Sequence, residues 1–397
     1  MDCPQQRARQ WVMRLLLTPV HAEFTHPEHE LARAVADEIS EAGAWPTVFQ
    51  ICRDWNVIPA LAERVAAIDL RLTPAEAKGL GQEAGTLFFR STLCIRAGCE
   101  AIQRLNDDGI PAVGFKGFAS IAWLHSQTGA RSRMVQDVDL LISDQDLPRA
   151  LERLEQAGYR REAAALDLTS YIASLKSSPD SAGNLATSLT NPRGNALDLH
   201  WKLGRFDTAK LLATARQVNL LGFSVPVVCP AFGLLLSVHH ALRNNFVPDR
   251  MARDVLDAAD WFRLLAQSPA ELSVALDYAQ SWKLSAPLGA MALIVGESGG
   301  SNPCTGMDTT SPAARNLATL YARQLRSEPI NADLSALGSR RAWHQVVSRA
   351  FLGWNRYLRM GTFWRRVPRL ARSALSLTPM HWQELRTLAH AKDQMLD

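Results

Sequence analysis

Arg133-Met134-Val135-Gln136-Asp137-Val138-Asp139-Leu140-Leu141-Ile142 sets two acids, two residues apart, at the head of an apolar run. A run of this length and composition predicts a buried strand, and residues i and i+2 of a strand share a face. Asp137 and Asp139 are therefore expected side by side. Taken alone, such a pair reads equally as a turn cap or a solvated strand edge. Burying the two together is costly unless a cation neutralises them, and paired hard oxygen ligands suit Mg²⁺ shared with substrate phosphates.

Working outward, GIPAVGF (109–115) is a short apolar run after a Gly/Pro break, and FASIAWLHSQ (118–127) has helical spacing. Between them lies Lys116-Gly117, where a glycine permits close backbone approach and a lysine can hold a phosphate. Beyond the acids, Ser143 or Asp144 can cap DLPRALERLEQAGY (146–159), whose Leu147, Leu151 and Leu154 form one stripe closed by Gly158. The result is a β-α-β-α unit. A polar stretch (174–195) then leads into ALDLHWKL (196–203), an alternating strand expected to close the sheet. Its Asp198 is a third carboxylate if the strands pair so that it shares the face of the first two. Three acids on one sheet surface describe a two-metal phosphoryl-transfer centre.

These ordered motifs, FKGFASIAWLH (115–125), RSRMVQDVDLLI (131–142), a helix ending AGY (157–159) and DLHW (198–201), resemble the uncharacterised nucleotidyltransferase family of the DNA polymerase β-like superfamily. The resemblance covers roughly residues 105–205. CRDWNVIPALAERV (52–65), LLSVHHAL (235–242) and RDVLDAADW (253–261) are also similar to flanking segments of that family. It implies an α+β fold, a small mixed sheet with helices between N- and C-terminal helical regions. It implies that Asp137 and Asp139 hold the metals, that Asp198 completes the site and helps deprotonate the acceptor, and that Lys116 and Gly117 contact the nucleotide phosphates. The implied reaction is Mg²⁺- or Mn²⁺-dependent transfer of an NMP from an NTP to an acceptor hydroxyl or phosphate, with release of pyrophosphate. The acceptor is left open among a small molecule, a glycan precursor, a peptide and tRNA. Two alternatives remain: a toxin-like enzyme acting on tRNA, and a non-catalytic scaffold that keeps the fold. Many superfamily members carry Gly-Ser where this chain has Lys116-Gly117, and Gln136 is bulkier than the small residue often found before the first acid.

Arg131 and Arg133, in the loop before the acids, are candidate phosphate contacts, with Arg133 ranked first; surface arginines are the plainer reading. His239 and His240 are adjacent on a predicted helix and project about 100° apart, which suits packing and polar contacts better than one metal. Asp254 and Asp257 stand one helical step apart, placed for salt bridges or for the cleft. His200 shares a strand face with Asp198 and is a candidate neighbour of the metal site.

The chain has 397 residues, 47% hydrophobic and 21% charged, which excludes a disordered or collagenous protein. Apolar runs such as 231–236 and 284–295 are too short or broken to cross a bilayer. Arg7, Arg9 and Arg14 interrupt any signal-like apolar stretch, so a cytoplasmic location is expected. The six cysteines are scattered without zinc-type spacing, consistent with buried thiols. The sequence divides into a helical region (1–105), the nucleotidyltransferase-like core (106–205), a helical domain (206–335) and a basic, aromatic-rich tail (336–397). The net charge is +4, yet from Arg340 onward basic residues exceed acidic ones by eight. That tail suggests a peripheral membrane or polyanion contact, or packing of its aromatic residues on the domain.

Overall fold

A computed structural model describes residues 4–17, 26–70, 72–128, 133–161, 167–177, 185–204, 206–244, 248–297, 307 and 309–326. Arg131, Cys3, Cys304 and the basic tail from residue 336 lie outside the described residues.

Five helices lead in: α1 (Pro4–Leu17), α2 (His26–Glu41), α3 (Trp45–Asp54), α4 (Ile58–Ala67) and α5 (Pro74–Asp107). Long α5 starts from a capping box in which Thr73 and Glu76 exchange hydrogen bonds, with Pro74 in its first turn. The core continues with β1 (Val113–Phe115), α6 (Lys116–Thr128), β2 (Asp137–Leu141), α7 (Leu147–Gln156), β3 (Arg160–Arg161), α8 (Leu168–Ser177), β4 (Leu185–Thr190) and β5 (Ala196–Lys202). Then come α9 (Thr208–Ala213), β6 (Arg216–Leu220), β7 (Phe223–Val227) and α10 (Pro230–Arg243), α11 (Pro248–Ala266), α12 (Pro269–Ser281), α13 (Ser285–Glu297) and α14 (Pro312–Arg326).

The strands form one mixed sheet in the order β3-β4-β5-β2-β1-β7-β6. The expected α+β architecture, a small mixed sheet between helical flanks, is therefore found. Two expectations need correction. Residues 206–227 are not the start of a helical domain: β6 and β7 form a hairpin through Leu221-Gly222, both at positive φ, and β7 adds to β1 in parallel. Buried Val218, Leu220, Val225 and Val227 alternate with exposed or half-buried residues on either side of the two-residue turn, and this alternation carries the hairpin. The polar stretch before Asp198 likewise hides β4, whose Leu189 is buried while Thr and Ser residues fill the alternate positions. α1 packs on α3 and α4 and also on α11 and α14, which brings the N-terminal and C-terminal helices into contact.

The position of α5 matters for the site. Its Gly98 lies against Val138 of β2 and Phe118 of α6 so closely that a Cβ there would come within 2.7 Å of a Val138 methyl. Val138 thus faces α5, and by strand alternation Asp137 and Asp139 face the other side of the sheet. A helical glycine ordinarily costs stability relative to alanine. Gly98→Ala should nevertheless destabilise the protein by about 1–2 kcal/mol through overpacking. Gly81→Ala, where a Cβ meets nothing, should stabilise it by about 0.5–1 kcal/mol. Urea denaturation of the two variants checks the sheet–helix contact, and opposite signs are expected.

Candidate active site

The site is built on three adjacent strands. β1 and β2 run antiparallel with Phe115 opposite Asp139, and β2 and β5 run parallel with Asp139 opposite Asp198. The parallel register brings the second and third acids together from segments some sixty residues apart. Immediately after β1 the chain turns at Lys116, which adopts φ +50, a left-handed conformation uncommon for a residue with a Cβ. There its ammonium donates to Asp139 Oδ1 at 2.5 Å. The same oxygen accepts from His200 Nε2 at 3.0 Å, a tautomer assigned from this bond because a carboxylate can only accept. Phe115 packs edge-on against the His200 ring, with centroids 4.9 Å apart. Asp198 Oδ1 accepts from Ser188 Oγ of β4 at 2.6 Å.

Asp139, Asp198 and His200 present ligand atoms that all lie within 4.8 Å of one another. Asp137 lines the same cleft but does not belong to this tightest group. Burial works against ionisation of Asp139, yet Lys116 and His200 overcome it and hold the carboxyl well below the usual carboxylate range. For Lys116, burial disfavours the charge, and Asp139, with Asp137 and Asp198, reverses this and keeps the ammonium protonated. Asp137, the most exposed of the three acids, moves the other way: partial burial and then the charges of Asp139 and Asp198 raise its pKa. Three carboxylates therefore face one lysine. The excess negative charge, presented by hard oxygen donors, fits a divalent cation such as Mg²⁺ or Mn²⁺.

A second wall comes from α10 and α11. The cleft, about 150 Å³, is lined by Lys116, Gly117, Asp137 and Asp139 on the sheet side and by Ser237, His240, Arg253, Asp254 and Asp257 opposite. Arg133 joins the two sides. Its Nε donates to Asp257 Oδ1 at 2.8 Å, its Nη1 donates to the Met134 carbonyl, and its Nη2 lies where a Gly117 Cβ would come within 2.9 Å. Gly117 is thus needed for the close approach of this guanidinium. Burial opposes the charge on Arg133 but Asp257 restores it, while burial and Asp254 raise Asp257 in spite of its partner. His240 Nδ1 bonds both oxygens of Asp254 at 2.9 Å. Asp254 and Asp257 accordingly form the expected polar pairs and also line the cleft. His239 packs edge-on to Phe206.

The structure gathers Lys116, Gly117, Arg133, Asp137 and Asp139 around one cleft, with Asp198 beside Asp139. Two residues escaped the sequence reading. Ser188 sits on the unforeseen strand β4. Arg253, half-buried in the cleft wall, makes no ion pair among the described residues, and burial followed by repulsion from Arg133 lowers its pKa. The i, i+1 and i+4 placement of Arg253, Asp254 and Asp257 was visible, but which face of α11 meets the sheet was not.

The family model described as uncharacterised nucleotidyltransferase matches residues 41–298. No curated protein gives a significant match. Among solved structures, the chain is similar to the antibiotic-resistance factor ANT(2'')-Ia at 12% identity, covering 48% of this chain and 93% of that one with a TM-score of 0.33. It is also similar to an antigenic nucleotidyltransferase-like protein from Paracoccidioides brasiliensis at 19% identity, covering 55% of this chain and 97% of that one with a TM-score of 0.27.

The Lys116–Asp139 pair yields a stability prediction. Lys116→Met leaves Asp139 buried with His200 alone and should cost about 3 kcal/mol, the low end for breaking a buried pair. Because the folded pKa of Asp139 is depressed, the pair's contribution is complete above the unfolded value of about 3.9 and is lost as pH falls through the folded one. The stability gap between wild type and variant, followed by thermal unfolding, should be full at pH 6–7 and shrink steadily below about pH 4.

Proposed function

The chain belongs to the uncharacterised nucleotidyltransferase family, and from that premise we propose that it transfers an NMP from an NTP to an acceptor hydroxyl or phosphate. The observation that carries this reading is the pairing of Asp139 with Asp198 across β2 and β5, at the side of a cleft that Asp137, Asp139 and Lys116 line together with Arg253.

In the proposed reaction, Asp137, Asp139 and Asp198 hold the divalent ions. A divalent ion such as Mg²⁺ held by these acids would neutralise phosphate charge and favour attack at the α-phosphorus. Lys116 and Arg253 orient the triphosphate by charge, with the Gly117 turn keeping the backbone close. Asp198, on the far side of Asp139 from Lys116 along the sheet, accepts the proton of an acceptor hydroxyl. The acceptor oxygen forms a bond to the α-phosphorus, the bond from that phosphorus to the bridging oxygen breaks, and pyrophosphate leaves. Arg133 is a positioning residue: with Nε and Nη1 engaged by Asp257 and Met134, it fixes the Gly117 turn and the loop before β2 against α11. His200 similarly fixes the Asp139 carboxylate.

Binding of a ligand to the native state alone stabilises it by RT ln(1 + [L]/Kd), about 2.7 kcal/mol at a hundredfold excess over Kd. Wild-type protein should gain thermal stability with one NTP in the presence of Mg²⁺ and not with EDTA. Asp137→Asn should abolish that gain while leaving the unliganded melting temperature near wild type, since Asp137 is the exposed acid. Arg253→Ala should keep the gain but require about tenfold more nucleotide, the loss of one charge-assisted contact. A shift that persists in Asp137→Asn would remove the acids from nucleotide binding.

A further inference from the structure

A second cavity of about 340 Å³ opens on the α5 side of the sheet, lined by Leu87, Arg90, Cys94, Met134, Val135 and Asn195 among others. Met134 and Val135 line both cavities, so the two adjoin at the short segment leading into β2. Three extended residues separate Met134 from Asp137, roughly 10 Å. Gln136 also lines the second cavity and immediately precedes the most exposed acid. Cys94 at its floor has its thiol pushed up to about 12, by burial first and then by the charges of Asp137 and Asp139, which places the cavity within electrostatic reach of the acids.

The two cavities differ in chemistry. The cleft at the acids is small and lined mainly by charged groups, suited to a triphosphate. The second has the size of a small-molecule site, an apolar lining from Leu87, Cys94, Met134 and Val135, and a single cation. Arg90, an exposed side chain in that lining, makes no ion pair or hydrogen bond among the described residues and is free to meet a ligand's anion. Leu87, Arg90, Ser91 and Cys94 fall at i, i+3, i+4 and i+7, one stripe of α5. The Ser91 hydroxyl accepts from the Val135 amide at 2.9 Å and so fixes the wall itself. On the neighbouring stripe Phe89 and Leu93 are 64% and 37% exposed, two of the four large apolar side chains exposed among the described residues.

We propose that this second cavity seats the acceptor, a small molecule with an apolar body packed on Leu87, Met134 and Val135 and an anionic group held by Arg90. The inference rests on the nucleotidyltransferase reading for the word acceptor, but the cavity's ligand chemistry stands on its own residues. The anion can be a carboxylate or a phosphate, which Arg90 would hold by the same charge-assisted bonds.

The test uses the full-length protein and three probes, octanoate, octyl phosphate and 1-octanol, in ligand-observed NMR titrations. Both anionic probes should bind wild type more tightly than the alcohol, and the tighter of the two names the anion. Arg90→Glu should weaken both anions at least tenfold and leave the alcohol unchanged, whereas Leu87→Trp, which fills the cavity, should weaken all three. Neither variant should alter the thermal shift given by Mg²⁺ and NTP. Absence of binding by the anionic probes to wild type, or binding unchanged in both variants, overturns the proposal. Loss of the nucleotide shift in wild type with probe binding and its Arg90 dependence intact would instead overturn the transferase reading and keep the cavity as an anion-bearing ligand site.

Discussion

Asp139 is a buried carboxylate, and the arrangement of the site follows from what keeps it charged. An isolated buried carboxylate would take up a proton or unfold the strand that carries it. Here the ammonium of Lys116 and the imidazole of His200 converge on one of its oxygens. To deliver that ammonium, the chain must turn sharply at the end of β1, which accounts for the left-handed backbone at Lys116. To deliver the imidazole, β5 must lie parallel to β2 in the observed register, and that same register sets Asp198 beside Asp139. The compensation of one charge thus assembles the carboxylates into a group still short of positive charge, the condition under which a divalent cation and a polyphosphate bind together.

The helical flanks complete the constraint. α11 contributes Asp257, whose pairing with Arg133 ties the loop before β2 to the opposite wall, and Arg253, a cation facing the acids. α5 supports the other face of β2 through the Gly98 contact and provides the stripe that lines the second cavity. Both faces of one short strand are therefore used, the Asp137 and Asp139 side for the charged cleft and the Val138 side for the α5 contact.

Much of this was legible in the sequence because the decisive signals are local. The two acids at the head of the apolar run that ends at Ile142, the Lys-Gly step and the capped amphipathic helix after Ser143 each fix their own structure, and Asp198 is marked by its place in an alternating strand. What the sequence hid depends on pairing between distant segments. The alternation of Val218, Leu220, Val225 and Val227 in the β6–β7 hairpin acquires its place only when β7 is seen to extend the sheet from β1. β4 is written in small polar residues whose strand character comes from its neighbour β5, and Ser188 was lost with it. Arg253 was missed for a related reason: helical periodicity says which residues share a face, not which face a sheet will cover.

The central claim is that the α-phosphorus of a nucleotide is attacked at the Asp137, Asp139 and Asp198 cluster. It is tested most directly by incubating the protein and Mg²⁺ with NTP labelled at either the α- or the γ-phosphate, using small-molecule and tRNA fractions of a cell extract as sources of acceptor. The account predicts that the α-label enters a product while the γ-label leaves as pyrophosphate, and that Asp137→Asn and Asp198→Asn each abolish the transfer. Transfer of the γ-label to the product, or α-label transfer undiminished in both variants, would contradict it.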